Sequence, residues 1–272
     1  MRLLITCLLA ALMLVSCGGE VKDSGGPTAP QEPQYQRAYL DPAGAADAQI
    51  VLVDGVNDYS GQLLWYTGMG PVVTDAGQEI HAILDITGGG VSSIRTYVRD
   101  EYGNVQNCYD GAAVELTNPA STLTIVGLPG DSIIGDMRGI DFWGRLRIEG
   151  GITVVGRQDC AIEARPYATV DTLFCNVSAV GDTGYYGCNG GNGGAGLYGV
   201  NNNGTIVFVG TGYARWDYVF DAGVNTHIIV DGDAQYFGPR SPTNGDVTIL
   251  GQVVDLAVPT KPGKRWAWGK SR

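Results

Sequence analysis

Short apolar runs alternate with polar turn residues along the chain from about residue 48 onward. The runs are rich in Val, Ile, Leu, Thr and Phe, and Gly, Asn and Asp bound them. Beyond the N-terminus, no stretch keeps the i, i+3, i+4, i+7 apolar spacing of an amphipathic helix. The pattern therefore predicts an all-β protein, with strands at the following runs: Ile50–Val53, Ile80–Ile86, Leu123–Val126, Ile152–Val155, Val170–Phe174, Thr205–Val209, His227–Val230 and Val247–Leu250.

Several of these runs recur at a nearly constant spacing. Neighbouring runs lie about 20 residues apart, as solenoid repeats do, between Val154 and Phe174, between Val207 and Ile229, and between Ile229 and Ile249. The wider interval from Phe174 to Val207 contains loop material rich in Gly and Asn. Such a period is typical of a solenoid in which stacked coils of short strands share one core.

This predicted architecture resembles the right-handed parallel β-helix of the pectate-lyase-like superfamily. The resemblance rests on the coil spacing over roughly residues 48–255 and includes no family signature. Polygalacturonases of the superfamily carry N-T-D, D-D and G-H-G motifs, and none of them occurs here, since Asn225-Thr226 is followed by His227. The competing fold is an antiparallel β-sandwich of jelly-roll type, which also uses many short strands.

The N-terminus has the pattern of an export signal. Arg2 supplies a positive charge, and an apolar run follows from Leu3 to Val15. The run is too short for a membrane-spanning helix, which needs about 20 residues. We therefore expect it to direct export of the chain.

The end of this run, Leu14-Val15-Ser16-Cys17, resembles the lipobox of bacterial lipoproteins. The resemblance implies cleavage before Cys17 and acylation of that cysteine, which would anchor the protein in a lipid bilayer of the cell envelope. In a Gram-negative host, the absence of Asp after Cys17 implies sorting to the outer membrane. The alternative is an ordinary secretory signal with an incidental cysteine.

Four segments follow from these observations. We predict a signal peptide at 1–16, a lipidated cysteine and flexible tether at 17–47, a β-helix domain at 48–255 and a basic, Trp-containing tail at 256–272. The tail holds five cations and two Trp. It has three possible roles: capping the last coil, binding an anionic polymer, or forming a loose end.

The amino-acid composition disfavours a helical protein, and the net charge disfavours a nucleic-acid-binding one. Glycine supplies 42 of the 272 residues, which disfavours helices and suits repeated turns. The formal net charge of -11 argues against nucleic acid as a partner, because phosphates require clustered Lys and Arg.

Four cysteines remain after the predicted signal peptide and lipidation site. In an exported protein an even number suggests up to two disulfides, and we favour a local bridge between Cys175 and Cys188. Buried thiols at Cys108, Cys160, Cys175 and Cys188 are the alternative. The chain has no C-x-x-C spacing and no nearby His, which argues against a zinc site.

Two stretches combine Arg, Asp and aromatic residues, a mixture that suits sugar recognition. They are 136–147 and 215–218. Strand alternation would place Arg145 and Arg147 on one face of the first stretch. If coils stack the two stretches, one groove would be lined by Asp141, Trp143, Arg145, Arg215, Trp216 and Asp217. Surface salt bridges with half-buried aromatics are the alternative interpretation.

The paired carboxylates Asp231 and Asp233 allow either a Ca²⁺ site or an ordinary turn, and turn chemistry is favoured. No other cofactor is expected. We therefore expect a membrane-anchored, non-catalytic β-solenoid lipoprotein that binds glycan or serves a structural or adhesive role. The alternatives are a polysaccharide lyase or glycoside hydrolase acting on an acidic polysaccharide, and a jelly-roll carbohydrate-binding module.

Overall fold

The computed structural model describes the following residues: 46–47, 49–66, 70–93, 97–99, 105–108, 111–157, 159–166, 168–179, 197–199, 205–214, 220–222, 226–237 and 247–256. All of them lie within one compact unit, Ala38–Arg272. None of these residues belongs to a helix long and apolar enough to cross a bilayer. The predicted signal peptide, Cys17 and the tail from residue 257 lie outside the described residues.

Within this part the chain is all-β and forms a parallel β-solenoid of about six turns. Its 24 described strands, in chain order, are β1 (Ala46–Asp47), β2 (Ile50–Val51), β3 (Gly55–Asp58), β4 (Leu63–Tyr66), β5 (Val73–Thr74), β6 (His81–Asp85), β7 (Gly90–Ser93), β8 (Tyr97–Arg99), β9 (Val105–Cys108), β10 (Ala112–Leu116), β11 (Thr122–Val126), β12 (Ser132–Gly135), β13 (Arg138–Phe142), β14 (Arg145–Gly156), β15 (Ile162–Ala164), β16 (Thr169–Ala179), β17 (Leu197–Gly199), β18 (Thr205–Val209), β19 (Gly212–Ala214), β20 (Phe220–Ala222), β21 (His227–Asp231), β22 (Ala234–Phe237), β23 (Val247–Ile249) and β24 (Val253–Leu256).

These strands stack into three columns, which we name faces A, B and C. Face A contains β3, β6, β11, the first half of β14 and of β16, β18, β21 and β23. Face B contains β1, β4, β7, β12, the second half of β14 and of β16, β19, β22 and β24. Face C contains β2, β5, β10, β13, β15, β17 and β20. Faces A and B form one continuous sheet because β14 and β16 run through both.

Every pairing between coils in the described part is parallel, and the one antiparallel pair there is the inserted hairpin β8–β9. The prediction of an all-β parallel β-helix is therefore confirmed. The jelly-roll alternative is wrong, because its neighbouring strands would run antiparallel.

One predicted spacing joins residues that stack on each other in adjacent coils, and another joins residues that lie on different faces. Val207 stacks on Ile229, as the spacing predicts. Val154, however, stacks on Val177 and not on Phe174. The interval from Val154 to Phe174 joins a face B residue to a face A residue. The reason is that each coil contributes up to three strands, while only one apolar run per coil stands out in the sequence.

The core lies inside the coils and is built by alternation. In β11, Leu123 and Ile125 are buried while their neighbours are partly exposed. Leu123 stacks on Leu146 of the next coil, and Ile125 stacks on Ile148. Because a parallel pair keeps side chains on the same side, these two inward columns become continuous apolar stacks.

A buried aspartate ties two coils together at a corner. Asp75 is fully buried, and its carboxylate accepts hydrogen bonds from the backbone N–H groups of Gly77, Thr117 and Asn118. The hydroxyls of Thr117 and Ser121 also donate to it, at 3.0 and 3.2 Å. These bonds satisfy turn amides that the sheet ladders leave without partners.

The corner between faces A and B requires glycine. Gly150 has φ of +97°, and a Cβ added there would lie 1.7 Å from the carbonyl oxygen of Gly127 in the preceding coil. Further along the same corner, a Cβ on Gly232 would lie 1.7 Å from the carbonyl oxygen of Gly210. At Gly150 and Gly232 the backbones of successive coils therefore approach too closely for a side chain.

We expect Gly150→Ala to destabilise the protein by at least about 2 kcal/mol, because both the positive φ and the backbone contact oppose a side chain. Urea unfolding followed by circular dichroism measures this loss. Gly130→Ala is the matched control, since its φ is +110° but an added Cβ would meet no atom within 4 Å. An equal loss in the two variants would show that the close approach contributes nothing.

Candidate functional site

The outer side of face C carries a column of acidic side chains. Glu115 stacks on Asp141, and Asp141 stacks on Glu163 in the next coil. The residues beside Asp141 and Glu163 in sequence, Ile140 and Ile162, point into the core. Since paired strands lie about 4.8 Å apart, the ladder brings like charges close together.

Two arginines occupy the space around this column. Arg165 places Nε 2.8 Å from Asp141 Oδ1 and Nη2 2.6 Å from Asp141 Oδ2. Its Nη1 lies 2.9 Å from Glu163 Oε1. Arg138 places Nε 2.6 Å from Glu163 Oε2 and Nη2 2.8 Å from Asp159 Oδ2. We call these five residues the charge network: Arg138, Asp141, Asp159, Glu163 and Arg165.

The charge network is largely removed from water. Asp141 is 5% exposed and Glu163 is 6% exposed, although both point away from the core. Burial raises the pKa of Glu163, and the carboxylates of Asp141 and Asp159 add to this while the two arginines oppose it. The hydrogen bond to Asp141 raises the pKa of Arg165 despite its partial burial. Burial lowers the pKa of Arg138, but the neighbouring carboxylates outweigh this and its pKa is raised.

The network has the groups for proton transfer, but they are engaged with each other. A buried carboxyl with a raised pKa beside a cation is the kind of group that catalytic sites use. Here Arg138 contacts three carboxylates and Arg165 contacts two, and three of these five ion pairs join residues from adjacent coils. The arrangement therefore cross-links the coils of face C.

Three residues in or beside the charge network, Asp159, Cys160 and Glu163, are close enough to bind a metal ion, but Arg138 competes for the same position. The ligand atoms of Asp159, Cys160 and Glu163 lie within 4.8 Å of one another, which is close enough to share an ion. However, Arg138 already lies 2.8 Å from Asp159 and 2.6 Å from Glu163. A guanidinium thus occupies the cation position, and these residues fit a metal only if Arg138 moves away.

The first predicted stretch spans two faces. Asp141 lies in the charge network on face C, and the exposed Trp143 lies in the turn to face A. Arg145 begins the face A strand, where its Nε lies 3.0 Å from both oxygens of Asp171. The structure therefore pairs Asp141 with Arg165 and not with Arg145. The expected alternation does occur, because Arg145 and Arg147 are exposed on either side of the buried Leu146.

The second predicted stretch, with Arg215, Trp216 and Asp217, lies outside the described residues. In chain order it falls between Ala214 on face B and Phe220 on face C. Trp143 follows face C and precedes face A. The predicted common groove of the two stretches therefore stays a prediction.

Three members of the charge network lie outside the two predicted stretches: Asp159, Glu163 and Arg165. Arg138 lies within the stretch 136–147, but these three lie beyond it. The sequence does contain a spacing pattern that points to Glu163 and Arg165. Glu163 follows Asp141 by about one coil, and Arg165 lies two positions further along, on the same side of an extended chain.

The described cysteines do not support the favoured bridge. Cys175 is a buried thiol that faces the core, and burial raises its pKa. Cys160 is also buried, and its Sγ lies 3.4 Å from Asp159 Oδ1. The side chain of Cys108 and all of Cys188 lie outside the described residues.

Asp231 and Asp233 are both exposed at the end of β21. Asp233 Oδ1 accepts a hydrogen bond from the backbone N–H of Gln252 at 2.8 Å. This contact matches the turn interpretation, since it links one corner to the corner of the next coil. Calcium binding by this pair stays an untested prediction.

We expect Arg165→Met to destabilise the protein by about 2–4 kcal/mol at neutral pH, because it leaves the buried Asp141 and Glu163 charges undercompensated. The measurement is the free energy of unfolding in urea. Arg145→Met is the matched control, since the Arg145–Asp171 pair is solvent-exposed and should change stability little. If the two variants lost equal stability, burial of the charge network would not matter.

No protein-family model matches the chain, and no curated protein or solved structure matches it. The parallel β-helix is therefore a finding about architecture alone.

Proposed function

We propose that the protein is a lipid-anchored, non-catalytic β-solenoid of the cell envelope that binds glycan or makes adhesive contacts through its sheet surface. The observation that carries the proposal is the charge network: its buried acids and guanidiniums pair with one another across coils. Groups committed to holding coils together are poorly placed to serve as acid, base or nucleophile. The solenoid then acts as a rigid surface.

The sequence supports anchoring. The lipobox-like Leu14-Val15-Ser16-Cys17 supports acylation of Cys17, and residues 18–45, which precede β1, have the polar, Pro-containing composition of a tether. A flexible tether of this kind would hold the solenoid away from the lipid headgroups. In a Gram-negative host the anchor would lie in the outer membrane.

Face A is the surface best suited to a polymeric ligand among the described residues. Its outward side combines the exposed Arg147 with Thr124 and Ile83, which stack on each other in one column. Phe174 is 48% exposed nearer the C-terminal end of the same sheet. Aromatic rings stack on sugar faces, and Arg and Thr side chains donate hydrogen bonds to sugar oxygens. Columns that repeat at about 4.8 Å suit an extended chain more than a compact ligand.

A polysaccharide lyase or glycoside hydrolase acting on an acidic polysaccharide is the second candidate. The observation in its favour is Glu163, a buried carboxyl whose pKa is raised and which contacts two arginines. Catalysis there would require the network to open toward substrate. Binding without turnover needs no such rearrangement and is therefore preferred.

Anchoring predicts that Cys17→Ser abolishes incorporation of labelled palmitate and moves the protein from the membrane fraction to the soluble exported fraction. Radiolabelling and fractionation of producing cells measure both changes. Cys7→Ser is the matched control, because Cys7 lies inside the apolar run and should not affect acylation. Labelling that persists in Cys17→Ser would exclude Cys17 as the lipidation site.

Surface binding predicts that the detergent-solubilised protein is retained by at least one immobilised polysaccharide in a broad panel, without releasing products. Phe174→Ala and Arg147→Ala should each weaken retention by about tenfold, an energy typical of one interface contact. Leu128→Ala is the matched control, since Leu128 is exposed but lies in the turn after face A.

The same panel separates the two candidates. Release of reducing ends or unsaturated products, lost in Glu163→Gln, would establish the enzyme and overturn the binding-only proposal. If no polysaccharide in the panel retains the protein, glycan binding is excluded, and the adhesive role alone stays proposed.

A further inference from the structure

The last coil of the solenoid has an open edge in the described part of the chain. Among the described strands, β23 pairs only with β21, and β24 pairs only with β22. Three apolar side chains are exposed here, on Leu250, Val253 and Val254. An unpaired parallel edge with apolar side chains invites pairing with another strand. Something is therefore expected to cover it.

One polar group buried at this end also lacks a hydrogen-bond partner among the described residues. Tyr236 is 1% exposed within the core, and its hydroxyl has no hydrogen-bond partner among the described residues. The inward column Ala179, Ala214 and Tyr236 continues into Asp255 of the last coil. Asp255 therefore places a carboxylate on the core side of the open end, where it adds to burial in raising the pKa of Tyr236. A covering segment that donates hydrogen bonds and carries positive charge would satisfy both groups.

The negative charge at this end favours a basic segment over a second copy of the chain as the covering element. Asp231, Asp233 and Asp255 are exposed on the last two coils. The first coil would be the matching surface of a second copy stacked end to end, but it exposes Asp54 and Asp58. Two acidic ends repel each other, and a basic segment does not meet this repulsion.

The residues that follow Leu256 in the chain have the required chemistry. Residues 257–272 contain five cations and no acid. Trp266 and Trp268 are two positions apart, so an extended segment would present both indoles on one side. The segment is directly continuous with β24, and its length, at up to about 3.4 Å per residue, exceeds the width of a face.

We propose that residues 257–272 fold over the last coil as its cap, with Trp266 and Trp268 covering the apolar edge and the basic side chains meeting Asp255 and its acidic neighbours. The cap would prevent end-to-end association and shield the backbone edge. It is independent of the proposed glycan and anchoring functions.

Hydrogen–deuterium exchange of the purified full chain tests the cap. Deleting residues 261–272 should speed exchange of the 247–256 amides by at least tenfold, while the interior strand at 122–126 stays protected and shows that the protein is folded. The double variant Trp266→Ala/Trp268→Ala should have the same effect without shortening the chain. Trp143→Ala is the matched control, because it removes an exposed Trp in a turn far along the solenoid.

Three results would overturn the proposal. The first is equal exchange of the 247–256 amides in the full chain and both tail variants. The second is protection that disappears on dilution of the full chain, which would identify a second copy as the occupant. The third is unchanged exchange together with tail-dependent retention on dextran sulfate, which would make the tail a polyanion-binding segment.

Discussion

The parallel backbone ladder between coils is the constraint on which the structure depends. It holds successive coils about 4.8 Å apart and places each residue directly over its counterpart in the next coil. A side chain must therefore fit the same position above and below it. The corner between faces A and B shows this most directly, since the contact of Gly150 with Gly127 and that of Gly232 with Gly210 leave no room for Cβ atoms.

The same constraint explains the charge network. Stacking places Glu115, Asp141 and Glu163 in one column, where unscreened repulsion would oppose the ladder. Arg165 offsets this repulsion by contacting Asp141 and Glu163 together. Because these groups are nearly buried, their pairing matters more than that of the exposed Arg145 and Asp171 on face A. Charge on face C thus stabilises the coils, and charge on face A stays accessible to a partner.

Strands that alternate clearly can be predicted from the sequence, whereas contacts that depend on the register between coils cannot. Face A strands such as β11 and β18 alternate apolar and polar residues, so their positions follow from the pattern. Face C strands are short or interrupted by polar residues, as β13 is by Arg138 and Asp141. The partner of a charged residue requires knowing which coil lies next: Asp141 meets Arg165 at a separation of 24 residues. A constant period of about 20 residues would pair it with the wrong neighbour.

Coil length is free to vary as long as the chain returns to the ladder in register. Leu123 stacks on Ala82 of the preceding coil and on Leu146 of the next, and the first of these coils is longer because it contains the hairpin β8–β9. That hairpin follows β7 on face B, and the long link between Ala179 and Leu197 also begins at the end of face B. Insertions at this corner leave the ladders on faces A and C intact. The solenoid therefore separates its two requirements: the faces preserve stacking, and the corner after face B accommodates changes in length.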